Sequence, residues 1–226
     1  MPEASGQKPS FSTSIRGRRR LSEKAFEIEL LRPDGLRWIP GQRIQLSWEG
    51  LEREYTPVSI PGEASLRLCV RRVSGGTFST FLTEASVGTS LGLSGPFGYF
   101  LYQPSGHRPV FIATGTGVAP FVAMAASGVT GFTLLHGVSA PEELYYADRL
   151  RTAAVRYLPC VSRIPAGRFS DREIFPGRVT DFVRSRLPEG IYDFYLCGRG
   201  GMVTEVISIV DERFPGSRVF SERFFG

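Results

Sequence analysis

The chain has 226 residues, enough for one or two domains. Its 42% hydrophobic and 22% charged residues suit a globular protein with a full core rather than a disordered one. Cys69, Cys160 and Cys197 are scattered too widely for a CxxC pair, a zinc knuckle or a four-thiolate iron–sulfur run, so no metal site is expected. The net charge of +5 is carried almost wholly by arginine, a bias that does not by itself point to nucleic acid.

The first 14 residues lack an apolar export core and read as a flexible N-terminus. The cluster Arg16-Gly17-Arg18-Arg19-Arg20 reads as a solvated basic strand edge or tail. Short alternating runs follow at Phe26-Ile28-Leu30, Ile44-Leu46-Trp48, Leu66-Leu68-Val70 and Leu91-Leu93. Turns at Pro33-Asp34-Gly35, Pro40-Gly41, Pro61-Gly62 and Gly75-Gly76 separate them. Period two with this punctuation predicts antiparallel strands in a sandwich or small barrel. Phe78, Phe81 and Leu82 interrupt it at helical spacing, so a short helix is expected from Thr77.

After Gln103-Pro104-Ser105-Gly106 the pattern changes. Apolar strands are predicted at Val110–Ala113, Phe132–His136, Val155–Val161, Tyr192–Cys197 and Arg218–Ser221. Helical patterns lie between them at Val118–Ala126, Glu142–Arg151, Thr180–Leu187 and Met202–Phe214. Strand–helix alternation implies right-handed crossovers and a parallel sheet. The expected division is therefore an N-terminal segment 1–14, a β domain 15–103 and an α/β domain 104–226. The apolar stretch from Val110 to Ala126 is broken by Gly115, Gly117 and Pro120, so no membrane span is expected. The odd, scattered thiols suit a reducing compartment, and a cytoplasmic location is expected.

Three segments carry chemistry. Ala113-Thr114-Gly115-Thr116-Gly117-Val118-Ala119-Pro120 lies where the first α/β strand turns into a helix. There glycines let backbone approach a phosphate and helix amides supply donors. An ordinary glycine-rich turn would look similar, and Pro120 together with the absence of an acid ending the second strand argues against a standard dinucleotide fingerprint. Arg53 and Tyr55 alternate onto one face, where a guanidinium and a ring could grip a planar anion or simply pair across strands. Arg71-Arg72-Val73-Ser74-Gly75-Gly76-Thr77-Phe78-Ser79 couples two arginines to a Gly-Gly turn opening a helix, a second phosphate cradle. Two cradles in one chain suggest two nucleotides.

Taken in order, Arg53-x-Tyr55-Thr56, Gly76-x-x-Ser79, Gly115-Thr116-Gly117-x-x-Pro120, Cys197-Gly198-x-x-x-Met202 and Glu222-x-Phe224 resemble the ferredoxin–NADP reductase superfamily over nearly the whole chain. The resemblance implies a six-stranded antiparallel Greek-key β-barrel that binds FAD. A five-stranded parallel α/β domain for the nicotinamide nucleotide would follow it. It implies that Arg53, Arg71, Gly76, Thr77 and Ser79 hold the flavin pyrophosphate, with Tyr55 and Phe224 (or Phe225) against the ring. Gly115, Thr116, Gly117 and Pro120 would hold the nicotinamide nucleotide, with Gly198 and Met202 beside it. Thr56, Cys197 and Glu222 would meet at the reacting centre. Ser162 and Arg163, with Arg168 and Arg172 nearby, favour a 2′-phosphate and so NADPH, with NADH as the alternative. The implied activity is hydride transfer between NADPH and FAD, with single electrons passed to a separate ferredoxin, flavodoxin or other iron–sulfur carrier. The alternative is a subunit or oxygenase reductase component with little activity alone.

Overall fold

The computed structural model describes residues 10–163 and 174–224. Alternation sets the first half. Strands β1 (Ser10–Arg20), β2 (Ala25–Leu31), β3 (Arg43–Trp48), β4 (Leu51–Tyr55), β5 (Ser65–Arg71) and β6 (Ser90–Phe97) form one antiparallel sheet in the order β4-β3-β6-β1-β2-β5. Ile28, Leu30, Ile44, Leu46, Leu66, Leu68 and Leu93 all turn inward and are at most 2% exposed, as period-two patterning requires. The two outer strands approach each other where Pro57, just beyond β4, bridges to Leu68 of β5. The sheet is thus curled until its edges touch. Among the described residues that single bridge, rather than a continuous ladder, links the two edges.

The basic cluster is a solvated strand segment laddered on one side only, to β2, as the strand-edge reading expects. β1 begins at Ser10, within the segment expected to be flexible, and its first residues pair with Ser90–Ser94 of β6. Its second half pairs with β2 alone, with a register shift between Ile15 and Gly17, and Arg16, Arg18, Arg19 and Arg20 are all exposed. Arg19 reaches Glu27 at 3.1 Å and Arg18 donates to the Thr83 carbonyl at 2.5 Å. Helix α1 (Thr77–Glu84) lies where the Phe78/Phe81/Leu82 spacing predicts it, and buries Phe78 and Leu82.

The second half is a parallel sheet of β7 (Arg108–Thr114), β8 (Thr133–Val138), β9 (Arg156–Val161), β10 (Phe175–Pro176), β11 (Tyr192–Arg199) and β12 (Arg218–Phe224), in the order β10-β9-β8-β7-β11-β12. The predicted five strands gain a sixth, β10, whose two residues are too short to leave a periodic signal. Helices α2 (Ala119–Ala126), α3 (Ala147–Ala153), α4 (Val179–Ser185) and α5 (Gly200–Arg213) connect the strands. The helix expected over Glu142–Arg151 is split into a 3-10 turn at Pro141–Glu143 and α3. Tyr146 adopts the left-handed conformation, φ 60°, between them. It packs, with buried Tyr145, into a core shared by both sheets, where Ala25, Val58 and Cys69 meet Phe111, Phe121 and Cys197. Tertiary packing of the two rings thus overrides local helix propensity.

Candidate active site

The site is built where strand ends of the two sheets converge. At β7, the chain leaves Thr114 into a 3-10 turn, Gly115–Val118, and Pro120 opens α2 at a position where its missing N–H is harmless. Gly115 has φ 54°. A Cβ on Gly117 would lie 2.7 Å from the Gly198 Cα, and one on Gly198 would lie 3.0 Å from the Thr114 amide nitrogen. Turn and β11 therefore meet backbone to backbone, which no larger residue permits. Arg199 N–H donates to Thr114 Oγ1 at 3.0 Å and fixes the approach.

In register, Cys197 pairs with Ala113 on one side and Glu222 on the other. Cys197 is fully buried, and burial, reinforced by Glu222, pushes its thiol pKa well up, so it is a neutral thiol. Glu222 is also pushed up, by burial against the opposing pull of Arg43. β12 runs three residues past its expected end at Ser221, which carries Glu222 and Phe224 into the strand. Phe225, Arg168 and Arg172 lie outside the described residues.

On the β domain, Thr56 follows β4 and is 3% exposed, and its Oγ1 has no hydrogen-bond partner among the described residues. Tyr55 is half-buried and stacks on Phe78 of α1 at 6.4 Å between ring centroids. Burial raises its phenol pKa. The exposed Arg53 guanidinium donates to its neighbour's carbonyl, Glu52 O, at 2.7 Å. Gly76 caps α1, and Ser79 Oγ accepts from Val73 N–H at 3.0 Å, so the Ser79 hydroxyl shapes the turn. Arg71 and Thr77 are exposed at this end. Met202 is buried in α5. Ser162 and Arg163 are exposed beyond β9, tied by backbone to Val138 and Ser139.

Arg43 and His136 lie outside the motifs, and Thr114 lies inside the glycine-turn motif with no role assigned to it there. Arg43 bridges Glu54 and Glu222, at 2.8 and 3.0 Å. Its only sequence signal is a charge just after Pro40-Gly41-Gln42. Thr114 supplies the Oγ1 that receives Arg199. His136, fully buried, lies with Nε2 3.3 Å from the Gly115 carbonyl and Nδ1 3.0 Å from Tyr157 Oη. A carbonyl only accepts, so Nε2 carries the proton and Nδ1 accepts from Tyr157. Burial pushes His136 down to about 4, which keeps it neutral.

The fold and this convergence are those of a class of proteins that hold a flavin and a nicotinamide nucleotide. Residues 17–102 match the oxidoreductase FAD-binding domain family, and residues 111–207 match the oxidoreductase NAD-binding domain family. Ferredoxin–NADP reductase B of Sorangium cellulosum is 31% identical over 175 residues, covering 70% of this chain and 72% of that protein. The toluate 1,2-dioxygenase electron transfer component of Pseudomonas putida is 32% identical over 216 residues, covering 88% of this chain and 63% of that one. A ferredoxin NADP+ reductase from Neisseria gonorrhoeae has the same fold, with a TM-score of 0.83 over 97% of this chain and 100% of that one at 21% identity. The chain belongs to the ferredoxin–NADP reductase superfamily. It spans 38–64% of the length of four oxygenase-system relatives.

The residues fit both groups. A buried hydroxyl without a partner at Thr56, a glycine-capped helix at Gly76 and a backbone cradle at Gly115–Gly117 are what a flavin and a second phosphorylated ligand require.

Proposed function

We propose that the protein is an FAD-dependent reductase that takes hydride from NADPH and delivers electrons singly to a separate ferredoxin, flavodoxin or other iron–sulfur carrier. The observation that carries this reading is the meeting of the two domains through Arg43. It ties Glu54, two residues before Thr56, to Glu222, which pairs with Cys197. On this reading Thr56, Cys197 and Glu222, distant in sequence, serve one centre, where a bound flavin would supply the chemistry and the protein the positioning. In this reading residues 15–103 hold FAD and residues 104–226 hold the nicotinamide nucleotide, with residues 1–14 an N-terminal segment. Arg53, Arg71 and the amides opening α1 at Gly76, Thr77 and Ser79 bind the flavin pyrophosphate, while Tyr55 and Phe224 flank the ring. Gly115, Thr116, Gly117 and Pro120, with Gly198 and Met202, bind the second nucleotide. Ser162 and the exposed Arg163 receive the 2′-phosphate and favour NADPH over NADH. Thr56, Cys197 and Glu222 orient the reacting groups, and none needs to act as a nucleophile. No described helix is long and apolar enough to cross a membrane, and three free buried thiols support a cytoplasmic setting.

Anaerobic single-turnover reduction with NADPH and NADH, followed by candidate acceptors, tests this. The expected result is rapid bleaching of a yellow protein by NADPH, and Arg163→Ala raising the NADPH KM about thirtyfold, equivalent to ~2 kcal/mol, with NADH little affected. Equal losses with both nucleotides overturn the phosphate assignment, and a colourless protein overturns the flavin reading. A second reading, an electron-transfer component with little activity alone, is favoured by the names of the oxygenase-system relatives. It predicts flavin reduction without turnover until the partner oxygenase component is added.

A further inference from the structure

Arg43 stands at the start of β3, and one of its nitrogens, Nη1, serves two carboxylates, Glu54 on β4 and Glu222 on β12. The three side chains grade from solvent inward: Glu54 is 42% exposed, Arg43 25% and Glu222 11%. The Arg43 Nε is buried without a hydrogen-bond partner among the described residues, so the acids rather than a full set of bonds hold the guanidinium. Gly98 lets the pair approach bare backbone. A Cβ there would lie 3.4 Å from Arg43 Nε and 3.7 Å from Glu222 Oε2. Among the described residues, the charged or titratable groups facing Glu222 are Arg43 from β3, Glu54 from β4 and the Cys197 thiol from β11.

We propose that Arg43 is a positioning residue that divides one guanidinium between Glu54 and Glu222, and thereby sets the charge state of Glu222 beside Cys197. The proposal rests on the hydride-transfer reading and deepens it. Burial opposes ionisation of Glu222, Arg43 promotes it, and the like charge of Glu54 both opposes it directly and draws on the same guanidinium. An ionised Glu222 would favour positive charge on a nicotinamide ring held beside it, while a bound flavin would supply the hydride acceptor. The arrangement makes the surface acid Glu54 a control on the more buried Glu222, through the guanidinium they share. Removal of Glu54 and that of Arg43 must act in opposite directions.

The test is a titration of glutamate labelled with 13C at the side-chain carboxyl, followed by NMR on the purified flavoprotein without nicotinamide nucleotide. The Glu222 signal is assigned by its loss in Glu222→Gln. Arg43→Gln should move the Glu222 midpoint up by about one pH unit, Glu54→Gln should move it down by less, and Arg43→Lys should fall nearer wild type. Single-turnover flavin reduction should follow, its rise with pH moving in the same directions. Below that rise the Arg43→Gln rate should fall by up to about tenfold. Unchanged midpoints in both Gln variants, or shifts of the same sign, overturn the proposal. Glu54 is exposed, so Glu54→Gln reports even if Arg43→Gln fails to fold. Midpoints that shift as expected beside a flat rate profile uphold the clamp and instead remove Glu222 from hydride transfer.

Discussion

Asp193 and Cys197 lie four residues apart on β11, yet their surroundings are opposite in kind. At Asp193, 2% exposed, both carboxylate oxygens are fully engaged. Oδ1 accepts from Arg218 Nε at 2.8 Å and faces His107 Nδ1 at 3.1 Å, and Oδ2 accepts from Arg218 Nη2 and Ser105 Oγ, each at 2.5 Å. The Arg218 hydrogen bonds hold this carboxyl down to about 2. At the other end, Cys197 and Gly198 meet Gly117 and Thr114 through backbone, and Glu222 beside Cys197 is partly buried on Arg43. On the other sheet, the buried Thr56 hydroxyl has no partner among the described residues. A satisfied network fixes the fold, whereas unspent hydrogen-bonding capacity beside glycine backbone is what a ligand completes. One strand serves both, because the start of a parallel strand is covered by its own domain while its end opens toward the other.

That contrast can be broken by four measurements. The largest effect is expected from Asp193→Ala, which strips four contacts from a buried site and should cost about 3 kcal/mol in chemical denaturation while flavin content per folded molecule stays constant. Flavin loss in the folded fraction would mean that the two ends are not separate.

The next effect concerns pH. His136 is protonated in the unfolded chain below about 6.5 but in the folded protein only near 4, so the unfolded state binds the extra proton. Its contribution is intact above about pH 6.5 and is lost as pH falls toward 4, amounting to at most about 3 kcal/mol. The Asp193 contribution runs lower. It is present above its ordinary value of 3.8 and is lost as pH falls toward about 2. Melts from pH 7 to pH 2 should therefore fall in two stages, and His136→Leu should abolish only the upper one. A single stage in wild type would refute the assignment.

Smaller again is Cys197→Ala, expected to slow single-turnover flavin reduction by about ten- to a hundredfold without loss of FAD, with Cys197→Ser milder. Wild-type rates would remove the thiol from the reacting centre. The smallest is Thr56→Val, which replaces a buried hydroxyl lacking a partner by a methyl of the same shape. Stability of the flavin-free protein should stay level or rise by under about 1 kcal/mol, while flavin reduction slows several-fold. A clear drop in stability would show that the hydroxyl is bonded after all.

Much of the architecture was legible because its signals are local. Leu66-Leu68-Val70 alternates because one face is buried, and Phe78-Phe81-Leu82 recurs because a helix turns every 3.6 residues. The glycine turns at Gly76 and Gly115–Gly117 were readable for the same reason, since conformational freedom belongs to the residue itself. β1 was missed because its second half, Arg16 to Arg20, exposes arginine on a solvated face and hides no apolar period. The split at Tyr146 was missed because two tyrosines are claimed by a core that includes Cys69 and Val58 of the other sheet.

The sequence by itself determined the two units, their element types and the backbone cradles, since each follows from short-range periodicity or from glycine's missing Cβ. Only the tertiary structure decided which charges meet. Arg43 has acidic residues at many distances along the chain, and nothing local selects Glu54 and Glu222 among them. Strand pairing selects Glu54, through β3 beside β4, and docking of the two sheets brings Glu222 to the same nitrogen. His136 likewise had no local mark of its role. Its neutrality comes from burial between β7 and β9, an environment that exists only once the sheet is assembled.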